Sequence, residues 1–180
     1  MSDELQELHE HAEHARHHPD LAPVSLTMAI LAVLVATVSL LGHRAHTEEV
    51  ILQNKVSDQW AYFQAKNIRR HSDEQFADMV TLTNPKDAGQ ASRLREKYTA
   101  EAERYRDEQK ELDVEARKLE QEVEHERKRA NRFDLGEVFL EIALVITSIT
   151  LLSGRRSFWL LGMVTGVVGV VVAVTGVLIQ

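Results

Sequence analysis

The chain has no cysteine, which excludes disulfides, thiolate nucleophiles and thiolate metal ligands from its chemistry. It also lacks a glycine-rich phosphate loop between a strand and a helix, a zinc-binding HExxH helix and a nucleophile elbow. Carboxylates are abundant, but most alternate in sign with basic residues, as on a solvated helix surface. Enzymatic activity is therefore not expected. Proline is scarce, and beyond Pro23 only Pro85 interrupts the chain's capacity for unbroken helix.

Charge is missing in long blocks. Val24–Leu41 and Phe158–Ile179 contain no Asp, Glu, Lys or Arg, and Leu135–Leu152 contains only Glu137 and Glu141. As helices, runs of 18 to 22 residues cross a hydrocarbon core of roughly 30 Å. Each is expected to be a transmembrane helix, over residues 24–42, 135–153 and 158–179. The acidic residues before the first run, its length and the poor cleavage site around Gly42 argue against a removable signal peptide.

The net charge of −7 is concentrated at the N-terminus, where Asp3, Glu4, Glu7, Glu10, Glu13 and Asp20 face only Arg16. Nothing in that balance favours nucleic acid as a partner. The same tail, residues 1–23, is rich in histidine. If it is helical, His14 lies one turn from Glu10 and His18 and shares a face with His11, a spacing that suits zinc, nickel or copper. A solvated tail explains these residues more simply, and no cofactor is expected.

Between the first two apolar runs, residues 43–134 read as a coiled-coil helical hairpin. Leu52, Val56, Trp60 and Phe63 recur at three- and four-residue steps on one helical face. Ser72 with Gln75 could recap the helix after a kink near His71. A turn is expected near residues 83–88, where Asn84 suits an N-cap, Pro85 the first helical position and Asp87 the positive end of the helix dipole. The returning arm then places Leu94, Tyr98, Ala102, Tyr105, Gln109, Leu112, Ala116, Leu119, Val123, Glu126, Ala130 and Phe133 in a heptad pattern, with polar Gln109 and Glu126 at core positions. The arms would reach roughly 60 and 70 Å, and their narrow apolar stripes favour association with further copies or another membrane complex.

The stretches "SLLGHRAHTEEVILQNKVSDQWAYFQAKNIRRH" and "RFDLGEVFLEIALVITSITLLSGRRSFWLLG" resemble a family of bacterial membrane proteins known only as domain of unknown function 4337. The resemblance runs from about Val24 onward. It implies membrane helices flanking a coiled region in a bacterial protein, and brings no catalytic residues with it.

Other residues mark the membrane. His43, Arg44 and His46 follow the first run and Arg155, Arg156 and Trp159 precede the third, where headgroup contacts belong. Glu141 lies about one turn inside the second run, near Glu137; the simpler expectation is a carboxyl that is protonated, hydrated from the interface or paired with a cation such as Arg132, and the sharper one is a proton or cation pathway. Gly162, Gly166, Gly169 and Gly176 form a small-residue seam suited to helix packing in lipid. Cationic residues near the hairpin's ends favour a cytoplasmic hairpin, although the short Arg155–Arg156 loop points the other way. The expectation is an all-α, multi-pass protein of the bacterial inner membrane, oligomerising through its coiled coil and third span as a scaffold. A small oligomeric ion channel, or an accessory subunit of a transporter, is the alternative.

Overall fold

The computed structural model describes residues 22–82 and 87–179, all but a few of them helical. Three helices follow one another: α1, Ala22–Leu82; α2, Ala88–Ser153; and α3, Arg156–Leu178. No strand occurs among the described residues. Each helix contains a stretch long and apolar enough to cross a membrane. The described residues divide into two compact units, one formed by residues 22–48 with 125–179 and the other by those between 49 and 124.

The polar unit, Glu49–Glu124, is a pair of antiparallel helices. Trp60 Nε1 donates to Glu120 at 2.9 Å, Lys66 Nζ meets Glu108 at 2.6 Å, Arg106 reaches Glu74 at 3.3 Å and Phe76 stacks on Tyr98 at 5.4 Å between centroids. Partner numbers fall along α2 as they rise along α1, which fixes the antiparallel sense. Leu52, Val56 and Ala77 from α1 and Ala102, Tyr105, Gln109 and Ala116 from α2 are buried between them. Small residues on the α2 side let the helices approach closely, while Trp60, Phe63, Tyr98, Leu112 and Leu119 are half-buried along the seam. Trp60 and Phe63 meet edge to face at 5.4 Å. Leu94 lies outside this core, 40% exposed.

Local chemistry differs from expectation at two places. The helix runs unbroken through His71, because the Ser72 hydroxyl donates to the Ile68 carbonyl at 2.9 Å instead of capping a new helix. Asp87 is the residue that caps α2: its Oδ1 accepts from the backbone N–H groups of Gly89 and Gln90 at 2.9 and 3.1 Å. Asn84 and Pro85, expected to begin that helix, lie outside the described residues.

The apolar unit is a three-helix bundle. Its core contains Leu31, Val38 and Ala45 from α1, Ala130, Phe133, Leu140 and Ala143 from α2, and Ala173 from α3. Backbone nearly touches backbone where α2 meets α3. A Cβ added to Gly136 would lie 3.0 Å from the Gly169 carbonyl oxygen, and one added to Gly169 would lie 2.9 Å from the Gly136 carbonyl oxygen. Gly154 joins these two helices with φ of 66°, a left-handed conformation that only glycine adopts cheaply, and its N–H closes α2 on the Thr150 carbonyl at 2.8 Å.

Two stability predictions follow from this packing. Gly169→Leu must push α2 and α3 apart and should cost about 3 kcal/mol or more, whereas Val167→Leu on the exposed face of α3 should cost under about 0.5 kcal/mol. Thermal unfolding in detergent, followed by helical circular dichroism, compares the two. In the polar unit the buried Gln109 Nε2 has no hydrogen-bond partner. Gln109→Leu should therefore raise stability by about 1 kcal/mol in the same measurement.

Candidate functional site

The residues carrying the expectations of function lie in different parts of the chain. His11, His14 and His18 lie outside the described residues, and the described residues contain no group of three or more His, Asp or Glu able to hold a metal ion. The remaining candidates are set out along the apolar bundle.

One end of the bundle is marked by Gly42, where an added Cβ would sit 3.3 Å from Asp134 Oδ1 and 3.4 Å from the Phe133 Cβ. One turn farther along α1, His46 Nε2 lies 3.0 and 3.2 Å from the two Asp134 carboxylate oxygens. His43 and Arg44 are exposed beside it. The expected membrane-surface cluster thus has a structural member, His46, whose imidazole links the end of the first apolar run to the beginning of the second. His46 and Asp134 are each about half exposed, so the pair contributes under about 1 kcal/mol.

The other end is built around Trp159. Its indole Nε1 donates to the Thr27 hydroxyl at 3.1 Å, and Thr27 in turn donates to the Pro23 carbonyl at 2.8 Å. Arg155 and Arg156 are exposed there. Tryptophan suits such a position because its ring is apolar while its N–H needs a partner.

Between these ends the glycine seam of α3 faces α2 and α1. An added Cβ at Gly162 would collide with Thr147 Oγ1, one at Gly166 with a Leu31 methyl, and one at Gly176 would lie 3.2 Å from the Phe133 ring. The complementary face of α2, made by Gly136, Leu140, Ala143, Thr147 and Thr150, was missed by sequence reasoning. Small residues seven apart at Gly136, Ala143 and Thr150 were the available signal.

The two carboxyls of the second run are treated differently. Glu137 is half-buried near the end marked by Asp134, whereas Glu141 is exposed on the outer face of α2. Its neighbours there, Val138, Ile142 and Val145, are exposed and apolar. Glu141 lies deeper than about one turn. It is six residues, about 9 Å, beyond Leu135, which leaves it about 4 Å from the middle of the Leu135–Leu152 run. The packing gives the same level independently: an added Cβ at Gly169, the middle of the third run, would lie 3.0 Å from the backbone nitrogen of Leu140. Glu141 makes no hydrogen bond or ion pair with any described residue. The expected pairing with Arg132 is not made, since nine residues of helix separate the two by about 13 Å.

In the polar unit the most connected charged group is Lys66. It bonds Glu108 and sits over the rings of Tyr62 and Tyr105, 5.2 and 5.0 Å from their centroids. The Glu108 hydrogen bond holds its ammonium above the usual lysine range. This is an interhelical clamp. A groove lined by Ser92, Arg95, Glu96, Thr99, Ala100 and Glu103 is an open strip along α2 alone.

Fold and site together define an all-helical protein with three helices apolar and long enough for membrane spans. The chain belongs to the family described as domain of unknown function DUF4337, whose model matches residues 20–179. No curated protein and no solved structure matches it.

The Trp159–Thr27 bond makes a spectroscopic prediction. In a Trp60→Phe background, which leaves Trp159 as the sole tryptophan, Thr27→Val should move the emission to shorter wavelength and lower stability by about 1 kcal/mol.

Proposed function

We propose that this chain is a non-enzymatic, multi-pass protein of the bacterial inner membrane. Three transmembrane helices anchor a coiled-coil hairpin, which serves as a scaffold or spacer for further copies of the chain or for another membrane complex. The observation that carries this reading is the partition of each long helix. α1 and α2 each contain an uncharged or nearly uncharged stretch of membrane-spanning length and, in the same continuous helix, a charged stretch paired through ion pairs and aromatic contacts. Lipid accepts the first chemistry and water the second. An antiparallel helix pair held by side-chain contacts along its length suits holding and spacing.

The glycine seam is occupied by the chain's own α1 and α2, so assembly in this proposal uses other faces. In the polar unit, Ile68, Phe76, Met79 and Leu82 are large apolar side chains left exposed. Burying them against further copies would be favourable at about 25 cal/mol per Å². The positive residues beside the hairpin's ends favour a cytoplasmic location for it. A second reading, a small oligomeric channel or an accessory transporter subunit, draws on the mid-run position of Glu141.

Mass measurement in mild detergent tests the proposal. Particles containing more than one chain are expected, with the assembly reduced at least fivefold by charged substitutions at Phe76 and Met79. A single chain per particle with no bound protein overturns the scaffold reading. Proton or cation flux into vesicles, abolished by Glu141→Gln, would replace it with the channel.

A further inference from the structure

Glu141 differs from every other carboxyl on the described helices in its surroundings. It projects from the outer face of α2 among Val138, Ile142 and Val145, and has no hydrogen-bond or ion-pair partner among the described residues. Two measures place it near the middle of the apolar bundle: its distance of about 4 Å from the midpoint of its own run, and the contact of Leu140 with Gly169. Neither neighbouring helix can neutralise it at that level. Val24–Leu41 of α1 and Phe158–Ile179 of α3 contain no Asp, Glu, Lys, Arg or His. On its own helix the nearest charged side chain is Glu137, one turn toward the end marked by Asp134 and His46.

We infer that Glu141 opens directly onto the hydrocarbon of the bilayer, and that its carboxyl is a modification site for apolar carbodiimides. The inference rests on the membrane-spanning reading of α2. An exposed side chain at this depth meets lipid instead of water.

A neutral carboxyl is the reactive form. Its oxygen adds to the central carbon of the carbodiimide while its proton passes to one of the two nitrogens, giving an O-acylisourea. With little water to hydrolyse that ester, the acyl group migrates to the other nitrogen and leaves a stable N-acylurea. Every atom of both reactants remains in the product, and nothing is oxidised or reduced. The reagent must arrive through lipid, so the same exposure that deprives Glu141 of a partner makes it accessible.

The test uses the full chain reconstituted in phosphatidylcholine vesicles at about pH 8. The vesicles are treated either with dicyclohexylcarbodiimide or with a permanently charged, water-soluble carbodiimide, and adducts are located by fragment mass spectrometry. One N-acylurea per chain, on Glu141, is expected from the apolar reagent. Its yield should fall at least tenfold with the charged reagent and with Glu141→Gln, but not with Glu137→Gln. An unmodified Glu141 overturns the inference, because the carboxyl would not be open to a reagent dissolved in lipid. Equal reaction with the charged reagent also overturns it, because the site would be aqueous. An alkaline carbonate wash before labelling separates this failure from that of the membrane reading: a chain that washes off was never inserted, whereas a retained chain without the adduct defeats the lipid-facing site alone.

Discussion

The close approach of Gly136 and Gly169 sets the geometry of the apolar unit. Carbonyl oxygens of α2 and α3 come so near the opposing glycines that neither position can accept a side chain without moving a helix. In lipid, where water exclusion does not drive helices together, such contact supplies association through dispersion and backbone dipoles. It also fixes the relative level of the two helices. Once Gly169 is opposite Leu140, Gly162 must meet Thr147 and Gly176 must meet Phe133, because both helices advance by the same rise per residue. The positions of Asp134, Glu137 and Glu141 then follow from the covalent chain.

The polar unit solves a different problem with similar spacing. Its seam is narrow and mostly small, so apolar burial there is limited to a few side chains. Antiparallel sense and register come from pairs across the seam, including Gln59 with Glu115 at 2.8 Å, Trp60 with Glu120, and Lys66 with Glu108. Exposed ion pairs each add little. A mismatched register would instead bring like charges together and strand the aromatic side chains, so these contacts select an arrangement more than they strengthen it.

Helical patterning was the most legible property of the sequence. Charge-free runs, the Leu52–Val56–Trp60–Phe63 stripe and the α3 glycines are local patterns, and periodicity places them on a face without knowledge of the partner. What covers a face is a tertiary fact. The α3 seam was readable, but its occupation by Gly136, Leu140 and Thr147 of the same chain was not, because many small-residue faces could complement it. Asp87 holds the N-terminus of α2, a role that Asn and Asp share and that only backbone geometry assigns. Leu94 fits the heptad yet stays largely exposed, since a repeat specifies direction and not the presence of a neighbour. The histidine-rich tail adds nothing to this comparison, as it lies outside the described residues.

Glu108 and Glu141 show how strongly surroundings decide the meaning of one side-chain type. Glu108 is half-buried, but Lys66 lies within 2.6 Å, so ionisation there is matched by an opposite charge and a hydrogen bond. Glu141 is more exposed and yet worse provided for, since what surrounds it is valine and isoleucine. Exposure normally means hydration, and by that measure Glu141 would be an ordinary surface carboxylate. In the proposed membrane-spanning arrangement that same exposure faces lipid instead, because glycine packing on the opposite side of α2 sets Glu141 at the level of Gly169, the middle of the third apolar run, although Glu141 touches none of those glycines.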